Sequence, residues 1–258
     1  MRERDNFAVA KYYIQHLYFT IMEPQPHIEH ILTADGSSSF FSNDYNESYH
    51  STNGAISESN HIFMKNGLYH HSFRDNQRVT IFEQGFGTGL NTILTIKEAI
   101  ENNITIDYFS VEKHPLDIQM INNLNYIDSF DKEFKSLFFD IHKCEWNKRI
   151  EILPNFSLTK IDDDIEDLLD ENRLQNIFNI SSIDVTYYDA FSPERQPQLW
   201  SKKIFSHIFK ITSDGGILTT YSSKGVVKQA LRDSGFIVKR VKGPIGKRHI
   251  VIAQKIIS

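Results

Sequence analysis

Two short segments of this 258-residue chain bring together side chains and backbone suited to chemistry. The first is EQGFGTGLN (83–91), which follows a short apolar run and opens a helical stretch. Glycines 85, 87 and 89 let backbone approach a ligand closely and accept positive φ. The helix start behind them presents unpaired N–H groups. The spacing is G-x-G-x-G, so the third glycine comes one residue earlier than in the dinucleotide fingerprint G-x-G-x-x-G. Glu83 stands two residues before the first glycine, where it would repel a pyrophosphate. It suits a ligand carrying an ammonium group, such as the methionine part of S-adenosylmethionine. The second segment is Asp189-Ala190-Phe191-Ser192-Pro193, at the end of the run IDVTYYD (183–189). Ligands in open α/β sheets gather at the carboxyl ends of strands. Methyl transfer to nitrogen needs a neutral amine lone pair aimed at the methyl carbon, so orientation supplies much of the rate. A carboxylate there, Asp189, can hold the amine and take a proton as the N–H becomes acidic; a strand-end turn with a capping Asp is the simpler alternative. Phe191 offers a face for a base drawn out of its strand.

Other acids fall at matching places. Glu112 closes the next apolar strand, where an acid accepts hydrogen bonds from ribose hydroxyls; a surface pair with Lys113 is the simpler alternative. Asp162-Asp163-Asp164 follows the third strand and reads either as an acceptor for an adenine amino group or as a helix cap. His27-x-x-His30 and His70-His71 fit no metal pattern, so no metal is expected. Cys144 is the lone cysteine and reads as structural, since reactivity needs a lowered pKa.

Strands alternating with helices must position these groups. Runs 79–83, 106–112, 156–161, 183–189 and 215–222 read as strands, with a helix from 89 to 101, further helical segments to about 142, and helices at IEDLLDENR, 197–212 and GVVKQALRDSG. Pro197 is placed to open its helix and Gly235 to stop the last one. FIVKRV and HIVIAQK then end the chain as two strands with no helix between them. The expectation is an α/β, Rossmann-like class I methyltransferase fold. Its mostly parallel seven-stranded sheet would end in an antiparallel hairpin. Residues 1–75 are rich in Ser, Asn, His and Tyr, with turn signals between β-like pieces such as HIFM (61–64). They read as a β-rich N-terminal extension to a methyltransferase domain at 76–258.

Charge is unevenly placed. The net charge is −5, yet residues 201–258 hold 12 Lys or Arg and two acids, giving +10 against −15 for the first 200. A basic quarter on an acidic body makes a face for phosphates or merely solvated surfaces. No run approaches the roughly 18 apolar residues of a membrane helix. The first 19 residues make a poor signal peptide. A cytoplasmic protein with no membrane partner is expected.

Taken together, EQGFGTGLN (83–91), YYDAFSPERQPQLW (187–200), SKGVVKQALRDSGFIVKRVKGPIGKRH (223–249) and YHSTNGAISESNHIFMKNGL (49–68) resemble the methyltransferase module of the MnmC family, including its stand-alone form. That family methylates 5-aminomethyl(-2-thio)uridine at wobble position 34 of tRNA. The resemblance implies S-adenosylmethionine as cofactor, bound by Glu83, Gly85, Phe86, Gly87, Gly89, Asn91, Glu112, Lys113, Asp163 and Asp164. It implies Asp189 as the catalytic acid beside the amine. It also implies Glu58, Phe191, Lys239, Arg240, Lys242, Lys247 and Arg248 on the side of the tRNA anticodon stem-loop. Asp163 stands where the family has glycine, and D-A-F-S-P replaces a D-G-F-A-P-like loop. No second glycine fingerprint marks the family's flavin-dependent oxidase domain, so a substrate already bearing a free aminomethyl group is expected. A small-molecule amine methyltransferase or an aminopropyltransferase is the rival on the same fold.

Overall fold

The computed structural model describes residues 27–70, 78–170, 174 and 182–256. The expected boundary near residue 75, His71 and the end of the IEDLLDENR helix lie outside them. A small antiparallel sheet comes first, in the order β1 (Ile28–Leu32), β2 (Ser38–Ser42), β3 (Glu47–Ser48). The main sheet contains β4 (Arg78–Gln84), β5 (Thr105–Glu112), β6 (Arg149–Leu153), β7 (Phe156–Asp162), β8 (Ile183–Tyr188), β9 (Thr212–Thr220), β10 (Ile237–Lys242) and β11 (His249–Gln254). Its spatial order is β10-β11-β9-β8-β4-β5-β7-β6. β4, β5, β7, β8 and β9 run parallel. β11 lies antiparallel between β9 and β10, as a closing hairpin requires.

The sheet has eight strands rather than the expected seven. The extra one, β6, pairs antiparallel with β7 at the edge. Its first four residues alternate exposed and half-buried, the period-two signal of a half-covered strand, but the run is only five residues long.

Helices cover both faces. α1 (Ala55–Ser59), α2 (Leu90–Glu101), the one-turn α3 (Ile118–Ile121) and α4 (Lys132–Lys143) lie with one buried apolar cluster. α5 (Ile165–Asp170), α6 (Lys202–Ile211) and α7 (Gly225–Asp233) lie with the other. This two-sided cover explains why central strands such as β4 and β8 are buried nearly throughout. Capping fixes the helix starts: Asp131 accepts from Phe134 N–H and Ser201 from Ile204 N–H.

Two local expectations are corrected. HIFM is helical: α1 continues into a wide helical turn, Asn60–Lys65, in which Ile62, Phe63 and Met64 are all buried. Asn66 Nδ2 donates to His61 O at 2.7 Å and closes that turn. The stretch 197–212 is also not one helix. Pro197–Trp200 forms a tight 3₁₀ turn, and Ser201, with extended backbone, starts α6 afresh.

The register brings the functional ends level. Glu83 lies beside Ser110, Glu112 beside Asp162, and Gln84 beside Tyr188. The loops after β4, β5, β7 and β8 therefore open on one edge of the sheet. The N-terminal sheet docks near that edge. Asn125 Nδ2 donates to Gly36 O and its Oδ1 accepts from Ser38 N–H. His50 joins Ser39 Oγ at 3.0 Å to Thr88 Oγ1 at 3.3 Å.

Candidate active site

A cavity of about 350 Å³ occupies this edge. Its walls include Gln84 to Thr88, Asn91, Glu112, Lys113, Asp164, Asp189 and Phe191, together with Glu58 and Lys247. Most of the residues picked out by sequence therefore meet in one place, although they come from six segments of the chain.

The glycine loop is strained in the way its composition allows. Gly85, Gly87 and Gly89 have φ of 93°, 50° and 70°. A Cβ at Gly85 would lie 2.8 Å from the Asp189 carbonyl oxygen, and one at Gly87 3.3 Å from the Tyr49 ring. Behind the loop, the Phe86 ring packs against His142 and Trp146. Lys160, fully buried, donates to His142 O at 2.7 Å and sits 4.5 Å from the Trp146 ring centre. Burial lowers its pKa, and the aromatic faces offset part of that cost.

Glu112 holds the loop from the next strand. Its Oε2 accepts from Gly87 N–H at 3.0 Å and its Oε1 from His114 N–H at 2.9 Å. Burial raises its pKa against these two bonds. Each carboxylate oxygen has a second lone pair, so both keep acceptor capacity beyond these two bonds. Lys113 pairs with Asp164 Oδ2 at 3.1 Å. Asp164 also caps α5, accepting from Glu166 N–H at 2.8 Å while lining the cavity. The helix-cap reading of the Asp run therefore holds for Asp164, which also faces the cavity. Asp163 is different: it is buried, its Oδ1 accepts from Asp164 N–H, and it is absent from the cavity wall. It is corrected from a ligand contact to a support for the turn.

Glu83 is likewise off the wall. It is fully buried, with Oε2 accepting from Ser110 Oγ at 2.6 Å and Thr92 Oγ1 at 3.4 Å. Burial pushes its pKa up to about 8. The direct contact with a ligand ammonium expected from its spacing is not available to it, because β4 aims the side chain into the protein. Asn91, beginning α2, reaches the wall and donates to Asp189 Oδ2 at 3.0 Å.

Asp189 is a buried carboxyl on the cavity wall. Burial first, then the charge of Glu58, pushes its pKa up to about 7; the Asn91 hydrogen bond and Lys247 pull the other way. Its loop carries Phe191, whose ring stacks on Tyr45 at 4.5 Å and meets Tyr49 edge-on at 5.1 Å. One face of Phe191 is therefore already covered.

Lys247 departs from expectation. Among the basic residues of the C-terminal hairpin, Lys239, Arg240, Lys242 and Arg248 are exposed. Lys247 instead folds into the cavity wall, pairs with Glu58 and lies 5.1 Å from the Tyr221 ring centre. Glu58 also accepts from Ser51 N–H at 2.7 Å, and a buried carboxylate of this kind draws in the nearest cation.

Tyr45, Glu47, Tyr49, His50 and Tyr221 line the cavity without any signal in the sequence that singles them out. His50 is neutral, its pKa lowered by burial to about 4. No group of three or more His, Cys, Asp or Glu able to hold a metal ion occurs among the described residues. None of the described helices is long and apolar enough to cross a membrane.

The glycine cradle and the second lone pairs of Glu112 fit an adenosyl-methionine ligand, and comparison with known proteins agrees. A family model described as S-adenosyl-L-methionine-dependent methyltransferase matches residues 142–256. Two proteins named tRNA 5-methylaminomethyl-2-thiouridine biosynthesis bifunctional protein MnmC are similar in sequence. The one from Burkholderia thailandensis is 27% identical over 81% of this chain. The one from Ralstonia nicotianae is 29% identical over 83%. The chain spans about a third of the length of these relatives, 32% in each case. The crystal structure of MnmC2 from Aquifex aeolicus superposes with a TM-score of 0.73 at 25% identity, covering 92% of this chain and 74% of that one. Spermidine synthase from Thermotoga maritima shares the fold at a TM-score of 0.56 and 15% identity, over 92% of this chain and 72% of its own. The chain has the fold of class I S-adenosylmethionine-dependent methyltransferases, matches a family model of that description over residues 142–256, and is similar along most of its length to MnmC proteins.

Proposed function

We propose that the protein methylates the amine of 5-aminomethyl-(2-thio)uridine at tRNA wobble position 34, giving the 5-methylaminomethyl form. The observation that carries this reading is one cavity in which a desolvated carboxylate, Asp189, sits between a glycine cradle and an aromatic wall. When bound, S-adenosylmethionine supplies an electrophilic methyl group on a sulfonium. Gly85, Phe86 and Gly87 enclose that ligand while Gly89, off the cavity wall, turns the chain into α2; Glu112 accepts from its ribose, and Asp164 with Lys113 borders the adenine side. Glu83 acts at one remove, through Thr92 and the start of α2. Asp189 orients the substrate amine and takes up its proton. Phe191 supports the base, which stacks on the free face of its ring or replaces Tyr45. Glu58, held by Lys247, offers the amine a second acceptor.

The test is methyl transfer from labelled S-adenosylmethionine to tRNA from cells blocked at the free aminomethyl stage. Label at position 34 is the expected result. No label in any tRNA, from protein that still binds cofactor, would overturn the reading and favour a small amine.

The exposed cations of β10 and its following loop make the phosphate-binding surface in this proposal. An alternative use of Lys239 and Lys242 is to guard an open sheet edge, and salt dependence separates the two. Lys239→Glu with Arg240→Glu is expected to weaken tRNA binding. The slope of log K against log salt should fall by about one for each phosphate that is no longer neutralised. Cofactor affinity should not change. An unaltered slope would assign these residues to edge protection.

A further inference from the structure

Four backbone groups of the Asp189–Ser192 loop are tied down, each to a different part of the molecule. Asp189 N–H donates to Gln84 O at 3.0 Å. Tyr221 Oη donates to Ala190 O at 2.9 Å, and Trp200 Nε1 to Phe191 O at 2.8 Å. The fourth, Ser192 N–H, donates to Glu47 Oε2 at 3.0 Å. The first three ties belong to the main sheet and its own loops. The fourth crosses from β3 of the small N-terminal sheet, 145 residues away in sequence. The same turn supplies Tyr45, stacked on Phe191, and its hydroxyl reaches Gln196 further along the loop. The N-terminal hairpin therefore grips the loop by its backbone, by its aromatic ring and by its far end.

We infer that Glu47 is a positioning residue for methyl transfer and that the turn between β2 and β3 is a working wall of the active site; this rests on the proposed reaction. Asp189 and Phe191 must be aimed together, because one holds the amine and the other the ring that bears it. Misplacing a reacting group by a fraction of its contact distance costs rate more than binding. Glu47 fixes that aim with a charge-assisted bond to a backbone amide that has no other partner in the hydrogen bonds of the loop.

The test compares wild type with Glu47→Ala and Glu47→Gln, the latter keeping a carbonyl oxygen able to accept from Ser192 N–H. Readouts are kcat and KM with S-adenosylmethionine and aminomethyl-bearing tRNA, cofactor affinity by calorimetry, and amide exchange over residues 189–192. Glu47→Ala is expected to lose roughly 10- to 100-fold in kcat, the size of a hydrogen bond to a charged group. Its cofactor affinity should hold, and its Ser192 amide should exchange faster. Glu47→Gln should recover most of the rate and the protection. Wild-type kcat in Glu47→Ala, or a glutamine variant as impaired as the alanine one, would overturn the inference. So would unchanged exchange at Ser192 in Glu47→Ala, whatever the substrate. A wild-type protein inert toward tRNA, with exchange at Ser192 still accelerated in Glu47→Ala, would instead overturn the substrate assignment and leave the latch in place.

Discussion

Replacing Asp189 with asparagine should lower methyl transfer by roughly 10²- to 10⁴-fold, the usual worth of a positioned acid or base, while cofactor still binds. Asparagine keeps the shape and leaves the Asn91 amide an oxygen to meet, but it can neither take a proton nor offset the charge of an ammonium. The wild-type enzyme should also show a pH limb set by this group. Its pKa is pushed up to about 7 by burial and by Glu58, so the ionised, active form fills only as pH rises through that value. Stability should move in the opposite sense. A carboxyl whose pKa is raised on folding binds protons more tightly in the native state, so stability falls as pH climbs between the unfolded and folded values. The penalty from Asp189 is absent below its unfolded value of 3.8 and full above about 7. Glu83, raised from 4.5 to about 8, adds a second loss in a slightly higher window. The asparagine variant escapes the first of these. It should be more stable than wild type at about pH 8, by a few kcal/mol at most, and close to it near about pH 4. Thermal melts of both proteins across that range check the claim. Equal offsets at both ends would mean that Asp189 is solvated and unsuited to the role proposed for it.

Much of this arrangement can be read in the chain because its determinants are local. The spacing of Gly85, Gly87 and Gly89 states a backbone conformation directly. Glu112 and Asp189 are marked by their place at the end of apolar runs, which in an alternating α/β pattern is enough to put them on one edge. What escapes such reading depends on contacts across the chain. Tyr45, Glu47, Tyr49 and His50 lie in or beside short strands with no period of their own, and only docking of the small sheet brings them to the cavity. Lys247 belongs to a basic cluster by sequence, yet one buried acid 189 residues away draws it out of that cluster. HIFM has strand-forming residues but follows α1 without a break, so tertiary burial decides its shape. Glu83 is legible as important but not in direction, since the pleat of β4 decides which of Glu83 and Gln84 faces the cavity.

Gly85→Ala should damage the cofactor side and the amine side of the site together. Gly85 has φ of 93°, where an alanine is strained even in open space. Its new methyl would lie 2.8 Å from the Asp189 carbonyl oxygen and 3.4 Å from the carbon. Those are backbone atoms and cannot swing aside. Gly85 N–H donates to Val111 O and Asp189 N–H to Gln84 O, so the clash falls where β4, β5 and β8 are tied together. Relief requires the cradle and the catalytic loop to part, which strains both cofactor and amine sites at once. Backbone strain of about 1–3 kcal/mol corresponds to roughly 5- to 150-fold in cofactor affinity if it is released on the binding side. Gly215→Ala is the matched comparison: φ is 81°, but nothing lies within 4 Å of the added methyl. It should lose some thermal stability and bind cofactor normally. The difference between the two variants, measured by calorimetry with S-adenosylmethionine, isolates the close approach at Gly85 from the general cost of a left-handed alanine. Normal cofactor affinity in Gly85→Ala would mean that the loop yields freely and that the ligand is held elsewhere.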